Sequence, residues 1–295
     1  MEKYKLIGIG EILWDEFPEA RQLGGAPANF AYHANQLGGE GITISRIGDD
    51  ISGQDITALL DNKKITYLLS MDKDHPTGRV SVKTDNNGTP EYIIHENSAW
   101  DFLSFEPCFS EIAGNADVVC FGTLAQRNPV SAKTINTFIK ATKNNCLKIF
   151  DVNLRQNYYS KAIISDLLEL SNVLKLNNEE LEVLRQMFLN SSDETICLEK
   201  LCSMFCLDYI VLTKGKKGSR IFMDKNQDSI YKSKPVKVVD SVGAGDSFTA
   251  AVALGILKGF SLGRINKIAN LVASHVCSNK GATPVIPKRI IHSLN

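Results

Sequence analysis

Val238-Val239-Asp240-Ser241-Val242-Gly243-Ala244-Gly245-Asp246-Ser247-Phe248-Thr249-Ala250-Ala251 reads as a short apolar strand, a glycine-rich turn and the start of a helix rich in small residues. Gly243 and Gly245 carry no Cβ, so an anion can approach their backbone N–H groups closely. The helix that follows points its positive end at the same place. Preorganised N–H donors of this kind stabilise the charge that develops on a migrating phosphoryl group. Asp246 falls in the first helical turn, beside that cradle. A carboxylate there can simply cap the helix, or it can take a proton from an attacking hydroxyl. The stretch alone leaves both open.

Upstream, short β-branched runs alternate with amphipathic stretches. Lys5–Ile9, Thr43–Ile47, Val118–Phe121, Lys148–Val152, Val173–Leu176 and Tyr209–Thr213 read as buried strands. Ala28–Leu37, Gly53–Asn62, Val130–Lys143, Lys161–Leu170, Glu179–Phe188 and Glu194–Phe205 carry helical periodicity. This alternation predicts an α/β fold, a parallel sheet with helices on both faces. Ligands of such sheets bind beyond the carboxyl ends of the strands. Thr77–Thr84 and Pro90–His95 break the rhythm. They alternate apolar and polar residues around Asp85-Asn86-Asn87-Gly88, as a β-hairpin does. Such an insertion suits a sheet edge, a cover over the site or a dimer contact. No repeat or Pro-rich linker marks a second domain, so residues 1–295 are expected to form one.

The bulk properties narrow the function. Lys plus Arg and Asp plus Glu each number 33, so no basic surplus awaits nucleic acid. The seven cysteines form no C-x-x-C pair, which fits reduced thiols and a cytoplasmic protein. Cys197, Cys202 and Cys206 have helical spacing without a nearby His, which favours buried packing over metal. Gly8, Gly10 and Glu11 interrupt the apolar start, making it a strand rather than a signal peptide. No run reaches the roughly 18 apolar residues of a membrane span.

Asp240 to Ala251 resembles the C-terminal signature of the ribokinase-like, or PfkB, carbohydrate kinases, with Ser241 where many members carry Thr. The resemblance implies a ribokinase-like central, mostly parallel sheet flanked by helices, with a small β lid from about 11–23 and 77–100. It makes Asp246 the catalytic base and the backbone of Gly243, Ala244 and Gly245 the anion hole.

Other elements follow in the expected order. Leu23-Gly24-Gly25-Ala26-Pro27-Ala28-Asn29-Phe30 resembles the family's G-G-x-x-x-N element, which implies that Gly24, Gly25 and Asn29 contact the sugar. Read alone, it is a strand-to-helix turn with Pro27 in the first helical turn. Asp15 matches an aspartate that binds sugar hydroxyls, a task suited to its two acceptor oxygens. Gly8 and Gly10 do not extend to G-x-G-x-x-G, because Leu13 fills the last glycine's place. Asn177-Asn178-Glu179-Glu180 resembles N-x-x-E, placing Asn177 near the ATP phosphates and Glu180 near Mg²⁺ through water; an acidic helix start is the alternative. Thr213-Lys214-Gly215-Lys216-Lys217-Gly218 resembles the T-x-G-x-x-G nucleotide loop, or else is a tight turn. Asn270 and Ala273 match positions lining the adenine pocket. Asp151-Val152-Asn153-Leu154-Arg155 resembles D-x-N-x-R of fructokinases, where Arg155 either grips a phosphate oxygen or joins a surface ion pair. Some members also bind K⁺, at positions matched by Asp240 and the carbonyls of Val242, Asn279 and Gly281.

These elements imply phosphoryl transfer from ATP to a primary hydroxyl of a small sugar, with fructose the leading acceptor. Ribose, nucleosides and 2-keto-3-deoxygluconate are the alternatives; the last would need Arg155 or Arg79 to face its carboxylate. A catalytically silent sugar- or nucleotide-binding protein is the alternative of another class, free to lose its base or anion hole. The family's lid hairpins can pair between subunits, which allows a homodimer. No membrane or nucleic-acid partner is implied.

Overall fold

Buried strands of a parallel sheet need apolar cover on both faces, and their side chains alternate between them. The structure, a computed structural model, describes residues 3–17, 19–84, 90–224 and 226–294. It begins β1 (Lys5–Ile9), β2 (Leu13–Glu16), β3 (Arg21–Gly24), α1 (Ala26–Gln36), β4 (Glu40–Gly48), α2 (Ile51–Asn62), β5 (Thr66–Asp72), β6 (Gly78–Thr84) and β7 (Pro90–Ile94). It continues α3 (Phe109–Asn115), β8 (Val118–Gly122), α4 (Pro129–Lys140), β9 (Leu147–Asp151), α5 (Lys161–Leu170), β10 (Val173–Asn177), α6 (Asn178–Phe188) and α7 (Glu194–Phe205). The last elements are β11 (Tyr209–Thr213), β12 (Ser219–Asp224), β13 (Gln227–Tyr231), α8 (Ala244–Leu257), α9 (Leu262–Cys277) and α10 (Lys288–Ile291).

Nine strands form one sheet in the order β13-β12-β11-β10-β9-β8-β1-β4-β5. It is parallel except at β12 and β13, which close one edge as antiparallel hairpins. Along β8, Val119 and Phe121 join the core beneath α4, α5 and α7. Val118 and Cys120 join the opposite core, beneath α1, α8 and α9. Each large apolar side chain so buried contributes roughly 1.5–3 kcal/mol. A second sheet, β3-β2-β6-β7, stands apart from the first. Its β6 and β7 are the hairpin arms expected from sequence, antiparallel with Val80 opposite Ile94. β6 also runs parallel to β2, with Asp15 opposite Val80. The turn residues Asp85-Asn86-Asn87-Gly88 lie outside the described residues.

Two sequence expectations need correction. Val238 and Val239 form no strand: the Val239 and Asp240 amides both reach Cys277 O, at 2.8 and 3.2 Å, and among the described residues no neighbouring strand completes a ladder. Both valines remain about half exposed, at 47% and 48%. Of the three clustered cysteines, Cys197 is buried and Cys202 partly so, but Cys206 is exposed at the left-handed C-cap of α7.

Helix α1 rests on the sheet through backbone. A Cβ on Gly8 would stand 2.2 Å from Pro27 O, and one on Gly41 would stand 2.0 Å from Ala31 O. That approach fixes where the first turn of α1, with Asn29, meets the rest of the molecule. Gly8→Ala therefore forces α1 outward and is expected to cost about 1–3 kcal/mol. An unchanged urea midpoint in that variant would refute the close-packing account.

Candidate active site

From β1 the chain runs one way to β4 and β5, and the other way to β8 through β11. Where the order reverses, between β1 and β8, the connections part and leave a crevice above the carboxyl ends. Glu11 follows β1, Thr123 follows β8, and Asp151, Asn177 and Thr213 end β9, β10 and β11. The polar residues picked out in sequence thus converge because the strands end there.

Helix α8 supplies the centre. Gly243 is its N-cap, with φ 75° and the carbonyl oxygen of Ala282 2.3 Å from where a Cβ would sit. The Gly243 and Gly245 amides have no acceptor among the described residues, and Ala244 N–H makes only a 3.3 Å bond to Ser241 O. Asp246, in the first turn, accepts a 2.9 Å hydrogen bond from Asn29 Nδ2. Burial and the nearby Asp151 carboxylate raise Asp246 to about 6, against the pull of Asn29, Lys175 and Arg155.

On one side of Asp246 lies a cluster of carboxyl groups. The Asp15 carboxylate rests on Gly24, 2.4 Å from where a Cβ would stand. Burial raises Asp15 to about 6, and Arg155 opposes the shift. Glu11, 3% exposed, is raised by burial to about 7, again with Arg155 in opposition. Arg155 bonds only the carbonyl of Leu154, at 3.0 Å, and has no ion-pair partner among the described residues. The surface ion pair allowed by the sequence is therefore absent there. Arg79 instead faces Glu16, at 3.8 Å.

On the other side opens a cleft of about 700 Å³. Asn177, Thr213, Gly215, Gly218, Asn270 and Ala273 all line it, together with Ala244 and Gly245. Asn270 is anchored by bonds from its Nδ2 to Ser219 Oγ (2.6 Å) and Asn266 O (2.7 Å), and from Ser233 Oγ to its Oδ1 (3.1 Å). Asn177 and Glu180 form a capping box on α6: Asn177 Oδ1 accepts from the Glu180 amide, and Glu180 Oε2 accepts from the Asn177 amide. Glu180 Oε1 also accepts from Leu154 N–H, at 3.2 Å, so this carboxylate is turned into the protein. The sequence reading missed the Ser233–Val238 wall of the cleft, an extended stretch with no periodicity to reveal it.

Asp240 clasps two loops, its Oδ1 accepting from Val242 N–H and its Oδ2 from Gly281 N–H, each at 3.0 Å. The Asn279 side chain donates to His275 O at 2.7 Å.

Lys175 also escaped the sequence reading. Only 7% exposed, it donates from Nζ to Asp151 Oδ1 at 2.8 Å, while Thr249 Oγ1 holds Asp151 Oδ2 at 3.2 Å. Its Nζ lies 3.1 Å from where a Cβ on Gly245 would stand, so the bare glycine admits an ammonium beside the amide cradle. Burial works against that charge, but Asp151 and Glu180 more than offset it and hold Lys175 above its usual range. A lysine inside the apolar run Val173-Leu174-Lys175-Leu176 was the available signal, since a buried cation requires a partner. Lys175→Met leaves Asp151 unpaired and is expected to cost about 3–5 kcal/mol, part of it recovered by Lys175→Met with Asp151→Leu. Denaturant unfolding of both variants checks this, and a loss below about 1 kcal/mol in the single variant would contradict it.

Known proteins share this architecture. The fructokinase of Escherichia coli is 30% identical over 307 residues, covering 97% of this chain and 97% of its own. The crystal structure of the sugar kinase PH1459 from Pyrococcus horikoshii matches with a TM-score of 0.79 at 26% identity, covering 95% of this chain and 93% of the other. An engineered double mutant of the Vibrio cholerae O395 fructokinase, in a fructose-, ADP- and potassium-bound form, matches with a TM-score of 0.82 at 23% identity, covering 100% and 99%. The last shares the fold. Residues 19–289 match the profile of the pfkB carbohydrate kinases, and the chain belongs to that family.

Proposed function

We propose that this sugar kinase transfers the γ-phosphate of ATP to a primary hydroxyl of a neutral sugar, with fructose as acceptor. One observation carries the reading: Asp246 stands beside the amide cradle at the cleft and is bonded to Asn29, with the Glu11 carboxyl near it on the other side. A carboxylate at that junction can take the acceptor's proton as the oxygen attacks, while Gly243, Ala244 and Gly245 receive the charge of the phosphoryl group.

The nucleotide fits the larger cleft, with adenine against Ala273 and Asn270 and its phosphates toward Asn177 and the Thr213–Gly218 loop. Lys175 adds a fixed positive charge beside the cradle. Magnesium would be held mainly by phosphates and water, as that ion prefers, with Glu180 reaching it through water by its remaining lone pairs. It would neutralise phosphate charge there. Among the described residues no group of three His, Cys, Asp or Glu side chains offers a metal cage of its own. A potassium site at the Asp240 clasp, with the carbonyls of Val242, Asn279 and Gly281, draws support from the potassium-bound fold relative.

The acceptor site consists of Asp15, Gly24, Gly25, Asn29 and Arg155, and the small sheet acts as its lid. Residues 1–295 act as one kinase domain, since both halves of the chain line the same crevice. Closing the lid excludes water and suppresses ATP hydrolysis. Two carboxyl groups, Asp15 and Asp246, face one unpaired guanidinium. That balance suits a neutral polyol and opposes a keto-deoxy acid, whose carboxylate would meet like charge. Fructose is favoured over ribose and nucleosides by the relatives' names alone. A catalytically silent binding role is disfavoured because base and cradle are both retained.

Asp246→Asn is expected to lower kcat by about 10²–10⁴ while calorimetry still detects ATP and sugar binding. Unaltered turnover would remove Asp246 as the base. A neutral carboxyl cannot accept the proton, so kcat/KM for the sugar should climb with pH through about 6. A panel of fructose, ribose, a nucleoside and 2-keto-3-deoxygluconate, read by coupled ADP release, decides the acceptor; preference for the acid would overturn the charge argument.

A further inference from the structure

Two buried acceptor atoms near the site have no donor: Glu11 Oε2 and Asn29 Oδ1. The other end of each side chain is committed. Glu11 Oε1 accepts from Ala26 N–H, the first amide of α1, at 3.2 Å. Asn29 Nδ2 donates to Asp246. Ala26 and Asn29, three residues apart, share one face of α1, so the Glu11 carboxyl sits at the head of the face that carries Asn29. Two acceptors without a donor are costly when buried. An ionised Glu11 would make matters worse, because its carboxylate would compete with Asp246 for the only NH₂ group Asn29 has. A single proton removes both difficulties.

We propose that Glu11 is a positioning residue that carries a proton on Oε2 and donates it toward Asn29 Oδ1, holding the amide with its NH₂ on Asp246. The proton makes Glu11 a donor on one oxygen and leaves it an acceptor for Ala26 on the other. Asn29 can then satisfy both of its ends in one orientation. Loss of the proton frees the amide to turn, and Asp246 loses the bond that fixes its carboxylate.

The charged surroundings agree. Burial pushes Glu11 up to about 7, the Asp246 carboxylate adds to the rise, and the backbone amides and Arg155 act against it. The Cys120 thiol, buried and pushed well above its usual value, faces the same group and brings no charge. Asp246 titrates near 6, so a pH range exists in which the base is ionised and Glu11 still neutral.

The inference rests on Asp246 as the base, and the test separates the two. Glu11→Gln is the permanent isostere of the protonated acid: its carbonyl accepts from Ala26 and its NH₂ donates to Asn29. At pH 6.5 its kcat should stay within about threefold of the unsubstituted enzyme, whereas Glu11→Leu should lose about tenfold or more. The unsubstituted enzyme should lose kcat above pH 7, and Glu11→Gln should not. A decline common to both, a decline in neither, or a Gln variant as impaired as the Leu variant would each overturn the proposal.

Thermal unfolding gives a readout independent of turnover. Folded Glu11 holds its proton above the unfolded value of 4.5, so stability falls as pH rises from there through about 7. Glu11→Gln has no such dependence at this site, and its Tm advantage should widen between pH 5 and pH 8. A constant gap would refute the buried proton. Should Asp246→Asn keep its turnover, the base assignment fails by itself, and the melting comparison still decides the state of Glu11.

Discussion

A hydrogen bond joins Asn29 to Asp246 across 217 positions of sequence. Its two ends belong to helices α1 and α8, which share one face of the sheet. Neither helix could bring its first turn there alone. Helix α1 is pressed onto β1 and β4 by the missing side chains of Gly8 and Gly41. Helix α8, apolar on nearly every side from Phe248 to Gly255, is enclosed by its neighbours as a fully buried helix must be. Packing therefore sets the separation of the two first turns, and the polar bond reports that separation. The site inherits its precision from the core beneath it.

Charge is distributed with equal economy around that bond. Beside the cleft Lys175 is held above its usual range by Asp151 and Glu180. On the other side burial raises Asp15, Glu11 and Asp246. In the proposed reading a polyanion meets a fixed cation and free amides, while an uncharged polyol meets the Asp15 and Asp246 carboxyl groups. Uniform charge across the crevice would serve one of the two ligands and repel or ignore the other.

Much of this was legible in the sequence, for definite physical reasons. The core strands were readable as short apolar runs such as Val118–Phe121, buried on both faces, and the helices because one-sided burial imposes a period, as in Lys161–Leu170 and Glu194–Phe205. Asn177, Thr213, Gly218 and Asn270 were recognisable by family resemblance and do line one cleft. What stayed hidden lacks periodicity or depends on tertiary neighbours. Ser233–Val238 is a wall made of extended chain, and Val238-Val239 looked like a strand only because nothing local shows that no strand among the described residues pairs with it. Glu180 was expected at the ligand, yet its carboxylate oxygens first serve the backbone of Asn177 and Leu154. Glu11 was read only as a break in the apolar start, because a glutamate after two glycines is ordinary until its burial is known.

The capping of α6 and the N-x-x-E resemblance then cease to be rival explanations. Asn177 and Glu180 satisfy one another's backbone, which locks the first turn of α6 at the end of β10. A side chain locked in that manner projects its remaining polar atoms in one direction only. The same economy holds for Asp240, which ties Val242 to Gly281 and so shapes the loop leading into the cradle. In both places a capping or clasping bond is the means by which a loop is held in one conformation. A residue's structural duty is then the physical condition for any duty it has toward a ligand.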